Sequence, residues 1–275
     1  MMKYKTIYPS FNTCNDRIKE STQLINNRNH KPFITMFNDF PSKLLSIDLD
    51  AKTIKGNKKG YKTGILYLAP ANTLGFFNAC PNAKIAQCDK ACLYTAGRGR
   101  FTSVELSRIR KTLYWIDYQK QFLNQLYNEI VRESIKAKQN GYKFAVRLNG
   151  TSDIRFENYF WDSMVELNQL YDVQFYDYTK IANRKIENNK VYDLTFSYSG
   201  VESLQYKQQI KKAIDNGMRL ATVFRFKNNI PKYFLNRKVV AGDETDLRFL
   251  DPINSVVGLY AKGMAITDTS GFVID

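Results

Sequence analysis

One histidine, His30, occurs in the 275 residues, and no GxSxG stretch accompanies it. That scarcity argues against Ser-His-Asp hydrolysis. The run "GRGR" (97–100) lacks the GxxxxGK[S/T] spacing that cradles phosphates. Cysteine is scarce too. Cys14, Cys80, Cys88 and Cys92 are too few for a disulfide scaffold in a chain of this length, and a reducing cytosol keeps them as thiols. Long apolar runs are absent as well. The amino-terminal "MMKYKTIYPSFNTCNDRIKE" has no stretch suited to a signal peptide, and no segment supplies the roughly 18 to 20 apolar residues of a membrane span. These absences predict a soluble cytoplasmic protein with no membrane partner.

Acidic residues are in deficit: 26 Asp plus Glu against 41 Lys plus Arg, a formal charge of +15. Such an excess favours polyanions through counterion release, so nucleic acid is the expected partner. The charge clusters in "KTIKGNKKGYKTG" (52–64) and "GRGRFTSVELSRIRK" (97–111), on either side of three cysteines. Arg98, Arg100, Arg108 and Lys111 are the expected basic rim, with a merely solvated face as the alternative.

With 44% hydrophobic and 14% aromatic residues the chain can bury a sizeable core. Seven short runs rich in β-branched and aromatic residues, bounded by Gly, Asn, Asp or Pro, read as strands. They are "GILYLAPA" (64–71), "YKFAVRLNG" (142–150), "DVQFYDYTK" (172–180), "VYDLTFSYS" (191–199), "MRLATVFRF" (218–226), "RKVVAGD" (237–243) and "SVVGLYAKG" (255–263). Between the first two, Ile109, Leu113, Ile116, Leu123, Tyr127 and Ile130 recur at helical spacing. They predict one helix from about Ser103 to Asn140, opened by a Thr102/Glu105 capping box. "NG" at 140–141 stops it, and "NG" at 216–217 stops a second helix from Val201, which suggests one α-to-β joint used twice.

Strands alternating with helices predict an α/β fold with a parallel sheet, as a partial or full TIM-like β/α barrel. Residues 61–275 form the barrel-like domain and residues 1–60 an amino-terminal extension packed on it. Reactive groups in such folds sit in loops after the strands. Those positions here carry Asn149, Gly150, Thr151 and Asp153; Asp177 and Lys180; Ser197 and Ser199; Asp243, Asp246 and Arg248; and Lys262. Asp153 has a second reading, as the cap of a helix starting near Ile154.

Cys80, Cys88 and Cys92 lie in the loop after the first of these strands. Three thiolates from one loop can bind zinc with a fourth ligand from elsewhere, or a [4Fe–4S] cluster with one iron left open. They can also be buried, inert thiols. The spacing CxxxxxxxCxxxC contains no CxxC pair and no nearby histidine.

"ILYLAPANTLGF", "ACLYTAGRGR", "VRLNGTSDI", "FYDYTK", "DLRFLDP" and "VGLYAKG", in this order, resemble the phage-encoded Gene product 88 family from about residue 40 onward. The resemblance implies a phage or prophage origin, hence the cytoplasm of a bacterial host, and little biochemistry. A more distant likeness is to radical S-adenosylmethionine proteins. There, three cysteines after the first barrel strand hold a [4Fe–4S] cluster, and a polar motif after the second binds the methionyl amino group. The usual CxxxCxxC differs from the gaps of seven and three here, and Ala91 precedes Cys92. This likeness implies Cys80, Cys88 and Cys92 as metal ligands, and S-adenosylmethionine near Asn149, Gly150, Thr151 and Ser197. Asp153, Asp177, Lys180 and Asp243 are then the candidate catalytic groups.

The leading expectation is an iron–sulfur, radical S-adenosylmethionine-like enzyme acting on nucleic acid or a nucleotide-derived substrate. A second reading is a zinc-containing barrel that exchanges nucleobases through Asp153 and Asp177. A third is a non-enzymatic protein that binds nucleic acid or a host factor.

Overall fold

The computed structural model describes residues 40–48, 51–89, 101–184, 186 and 188–275. In chain order its elements are β1 (Leu45–Ile47), α1 (Ala51–Gly56), β2 (Tyr61–Leu66), α2 (Thr102–Asp117), α3 (Gln119–Gln139), β3 (Lys143–Arg147), α4 (Glu157–Tyr171), β4 (Val173–Thr179), β5 (Tyr192–Ser197), α5 (Leu204–Asp215), β6 (Arg219–Phe224), β7 (Tyr233–Phe234), β8 (Arg237–Ala241) and β9 (Val256–Tyr260). All seven strands read from the sequence are present. β1 and β7 are additional, and β1 brings residues 45–47 from the expected extension into the sheet.

The sheet has nine strands in the order β1-β2-β3-β4-β5-β6-β9-β8-β7. β2 to β6, β9 and β8 are mutually parallel, and the edges β1 and β7 run antiparallel to their neighbours. The α/β architecture with a mostly parallel sheet is therefore the one formed. Full closure into a barrel is not: β1 and β7 are opposite ends of an open sheet.

From β2 to β6 each new strand is added on the same side. Right-handed crossovers then put all the intervening helices on one face. The packing agrees: Phe144 and Val146 of β3 and Val173 and Phe175 of β4 share a core with Leu126 and Ile130 of α3 and Met164 and Leu167 of α4. The step from β8 back to β9 runs the other way. Its connection, residues 242–255, accordingly lies on the opposite face, where Leu247 packs with Ala145 and Tyr176. In a closed barrel that face would be the interior; here the connection fills it.

The expected single long helix is two. Tyr118 leaves helical geometry (φ −140°, ψ 54°) and separates α2 from α3. The capping box is not the start either, because Phe101 occupies the N-cap position and Thr102 is already helical. The repeated α-to-β joint does form. Gly141 (φ 76°) and Gly217 (φ 65°) are left-handed. In both, the glycine N–H reaches back three residues and the next N–H five, to Lys138 and Ala137 in one and to Ile214 and Ala213 in the other. That is the paired bonding of a Schellman stop.

Arg108 and Lys111, expected on a basic rim, are buried on α2. Lys111 Nζ donates to Leu44 O at 2.7 Å, while Glu129 accepts from the Leu44 and Leu45 N–H groups. Burial lowers the Lys111 pKa to about 8, opposed by Glu129 and aided by Arg108. Between about 8 and the model-peptide value of 10.5, the unfolded chain holds a proton that the folded one lacks, so stability rises with pH. The full window is worth about 3 kcal/mol. Urea titrations from pH 7.5 to 9.5 should show wild type gaining stability relative to Lys111→Met. Parallel pH curves for the two proteins would refute the shift.

Candidate functional site

The segment from Pro70 to Asp89 leaves β2 and lies across the carboxyl ends of its neighbours. Ala79 O accepts from Asp153 N at 2.7 Å, beyond β3. Asn82 Nδ2 donates to Lys180 O at 2.8 Å, at the end of β4. Ser199 Oγ, beyond β5, donates to Ala86 O at 2.9 Å. Within the loop, Cys80 O accepts from Ala83 N, Ala83 O accepts from Cys88 N, and Cys80 N donates to Asn78 Oδ1. These bonds bury Ala83 and Ala86 with Cys80 and Cys88 against Phe196, Val201 and Tyr206.

Both cysteines are carried as thiols. The Lys180 backbone bonds both the loop and Asp153, its carbonyl accepting from Asn82 Nδ2 and its N–H donating to Asp153 Oδ2. Burial works against the Lys180 charge, yet Cys88, Cys80, Tyr206 and Asp153 outweigh that and hold its pKa well above the usual lysine value. Cys92, the third expected ligand, and Arg98 and Arg100 of the expected rim lie outside the described residues. Among the described residues no group of three or more His, Cys, Asp or Glu could hold a metal ion.

The polar side chains after β3 and β4 are committed to one another. Asn149 donates from its backbone N–H to Asp177 Oδ1 (2.8 Å) and from Nδ2 to Asp177 Oδ2 (3.1 Å) and Ile154 O, while its Oδ1 accepts from Ser152 Oγ and Ile154 N. Thr151 Oγ1 donates to Leu68 O. Gly150 is required by proximity: a Cβ there would stand 2.6 Å from the Tyr67 ring and 2.7 Å from Ile65. Its φ is not left-handed, yet the backbone bends at this residue.

Asp153 does not cap α4, whose N-cap position is Phe156. Its carboxylate accepts from Thr179 Oγ1 (2.8 Å) and Lys180 N (2.7 Å), and Arg184 Nη1 stands at 3.4 Å. Asp177 is fully buried and also accepts from Tyr192 OH at 2.6 Å. Burial raises its pKa to about 6 against the pull of Tyr192, Arg147, Arg184 and the Asn149 N–H. Each of the four carboxylate oxygens of Asp153 and Asp177 accepts at least one hydrogen bond from within the protein. Ser197 contributes its carbonyl, which accepts from Tyr206 OH. Asp243 pairs with Lys262 at 2.7 Å, farther along the rim.

Three residues central to these contacts were not singled out as site residues from the sequence: Arg147, Arg184 and Tyr206. Arg147 carries the clearest signal, a charge inside the apolar strand "KFAVR". On the face opposite the helices its Nη1 donates to Asp246 Oδ2 at 3.0 Å, and Tyr176 OH and Tyr178 OH also donate to Asp246.

Fold and loop together define an α/β protein that presents buried thiols beside a lysine at the carboxyl ends of a mostly parallel sheet. The chain belongs to the Gene product 88 family, which it matches over residues 44–275, and it is in that sense a phage protein. No curated protein matches it, and neither does any solved structure. No helix among the described residues is long and apolar enough to cross a membrane.

Proposed function

We propose that this chain is a metal-dependent phage enzyme in which Cys80, Cys88 and Cys92 hold a [4Fe–4S] cluster, and that it acts on nucleic acid or a nucleotide-derived substrate in the host cytoplasm. The one-directional winding of β2 to β6 supports reading the sheet as an incomplete β/α barrel. The observation that carries the proposal is the burial of Cys80 and Cys88 together in one loop that is hydrogen-bonded to residues beyond β3, β4 and β5, at the end of the sheet where such folds do their chemistry. The third cysteine follows four residues after Cys88. A bound cluster would supply one-electron chemistry and an iron without a protein ligand. The chain's own part is to fix the loop, through Asp153 N–H, Asn82 and Ser199, so that its cysteines are held at one place. S-adenosylmethionine fits less well. Asn149 and Thr151, expected to meet it, have their side-chain polar groups engaged within the protein, and no step through that cofactor is derived.

Protein purified without oxygen should be brown, contain iron and acid-labile sulfide, and lose its colour in Cys88→Ser. Colourless protein with one bound zinc would reject the cluster in favour of a zinc site. In the nucleobase exchange paired with that reading, Asp153 and Asp177 would exchange a hydrogen bond within the protein for one to the substrate.

A further inference from the structure

The connections that lead into the parallel strands place lysines at the end of the sheet away from the cysteine loop. Lys58 and Lys59 precede β2, Lys138 precedes β3, Lys190 precedes β5 and Lys212 precedes β6. All five are exposed. Nearby Lys136, Lys143 and Lys211 are ion-paired with Glu133, Asp172 and Asp215, whereas these five have no acidic partner among the described residues. The Lys143 N–H donates to Gly60 O at 2.9 Å, which joins the first two connections side by side. Four strand spacings separate β2 from β6, a row roughly 20 Å long at about 4.8 Å per spacing. One nucleic-acid strand covers that length with about six nucleotides at 3.4 Å each.

The residues between the lysines suit the same ligand. Asn140, Gly141, Asn188, Asn216 and Gly217 are exposed, and amide groups donate hydrogen bonds to phosphate oxygens. These five give no apolar surface, and Leu170, 65% exposed before β4, is a single side chain and not the apolar face that a membrane-surface element needs to insert among lipid headgroups. We propose that this amino-terminal rim binds the phosphate backbone of nucleic acid without reading its bases, and so holds the polymer on the side opposite the thiol loop. The proposal rests on the nucleic-acid part of the function proposed above and changes its location, because Arg108 and Lys111 are buried.

The test is fluorescence anisotropy with a labelled DNA duplex of two helical turns and a single strand of equal length, across a salt series. Wild type should bind with a steep salt dependence. Changing Lys58, Lys59, Lys138, Lys190 and Lys212 together to Gln should weaken binding at least tenfold at about 0.1 M salt and flatten the log–log slope by about 4. Changing Lys43, Lys84, Lys120, Lys227 and Lys232 to Gln, all exposed elsewhere, should alter the slope by less than about 1. If the fivefold variant does not fold, Lys58→Gln/Lys59→Gln and Lys190→Gln/Lys212→Gln should each give close to half the change in slope. No binding by wild type, equal losses in the rim and control variants, or equally rim-dependent binding of phosphatidylserine vesicles would each overturn the proposal. Iron and sulfide content should be the same in the rim variant as in wild type, so failure of the cluster reading and failure of this one are seen separately.

Discussion

Arg184→Ala should lower stability by about 3 to 5 kcal/mol, the range for removing one partner of a buried charge group. The Arg184 side chain is wholly buried. Its Nε and Nη2 donate to the two Glu157 oxygens at 2.8 and 2.5 Å, Nη1 lies 3.4 Å from Asp153 Oδ1, and Nη2 also donates to Tyr192 OH at 3.0 Å. The guanidinium therefore ties the β4–β5 connection to the first turn of α4. Truncation leaves two carboxylates, 7% and 2% exposed, without their cation. Cooperative unfolding by heat should show the midpoint falling by roughly 6 to 20 °C, at 2 to 4 °C per kcal/mol for a chain approaching this size. Arg184→Lys keeps the charge but loses the fork that meets both Glu157 oxygens, and should fall between the two. A loss below 1 kcal/mol for Arg184→Ala would mean that water enters and solvates the two acids.

Much of the sheet was legible because its strands are apolar runs with punctuated ends. β1 and β7 were missed for a physical reason: three and two residues are too short to show alternation. The split at Tyr118 was hidden because α2 and α3 continue nearly the same apolar spacing on both sides of the break. Charge was misplaced on α2 for a related reason. Arg108, Lys111 and Trp115 are three and four residues apart and form one buried face, but residue type suggested solvent where position meant burial.

The site divided in the same way. Its location at the carboxyl ends was readable from polar residues following apolar strands. The partners were not. Asn149, Asp153 and Asp177 looked like ligands for a substrate because their donors and acceptors were visible, while Tyr192 and Arg184, which occupy two of those carboxylates, lie many residues away. A sequence shows hydrogen-bonding capacity and leaves open whether that capacity is already satisfied.

The second large effect lies on the opposite face, where Asp246→Ala should also cost about 3 to 5 kcal/mol. Asp246 is the acceptor for Arg147 Nη1 at 3.0 Å, Tyr176 OH at 3.2 Å and Tyr178 OH at 3.4 Å, and the Arg147 guanidinium lies 4.6 Å from the centre of the Tyr178 ring. Burial opposes the Arg147 charge, but Asp246 and the surrounding tyrosines outweigh it and hold the pKa above the usual arginine value. Without the aspartate both hydroxyls lose their acceptor under the 242–255 connection, and the cation keeps only the longer approach to Asp177, at 3.9 Å. The Arg147 Nε already lacks a hydrogen-bond partner, so the site has little spare capacity to compensate. Removing both charges is a different experiment. Arg147→Met/Asp246→Leu removes both ions of the pair and restores apolar volume, while Asp177 keeps its bonds from Asn149 and Tyr192, so it should recover most of what Asp246→Ala loses, since apolar replacement of a buried pair is often neutral or stabilising. Urea unfolding of both single variants and the double variant closes the cycle, with a coupling of at least 2 kcal/mol expected for groups in direct contact. Additive losses, with the double variant less stable than either single one, would show that Asp246 holds the connection by packing and not by its charge.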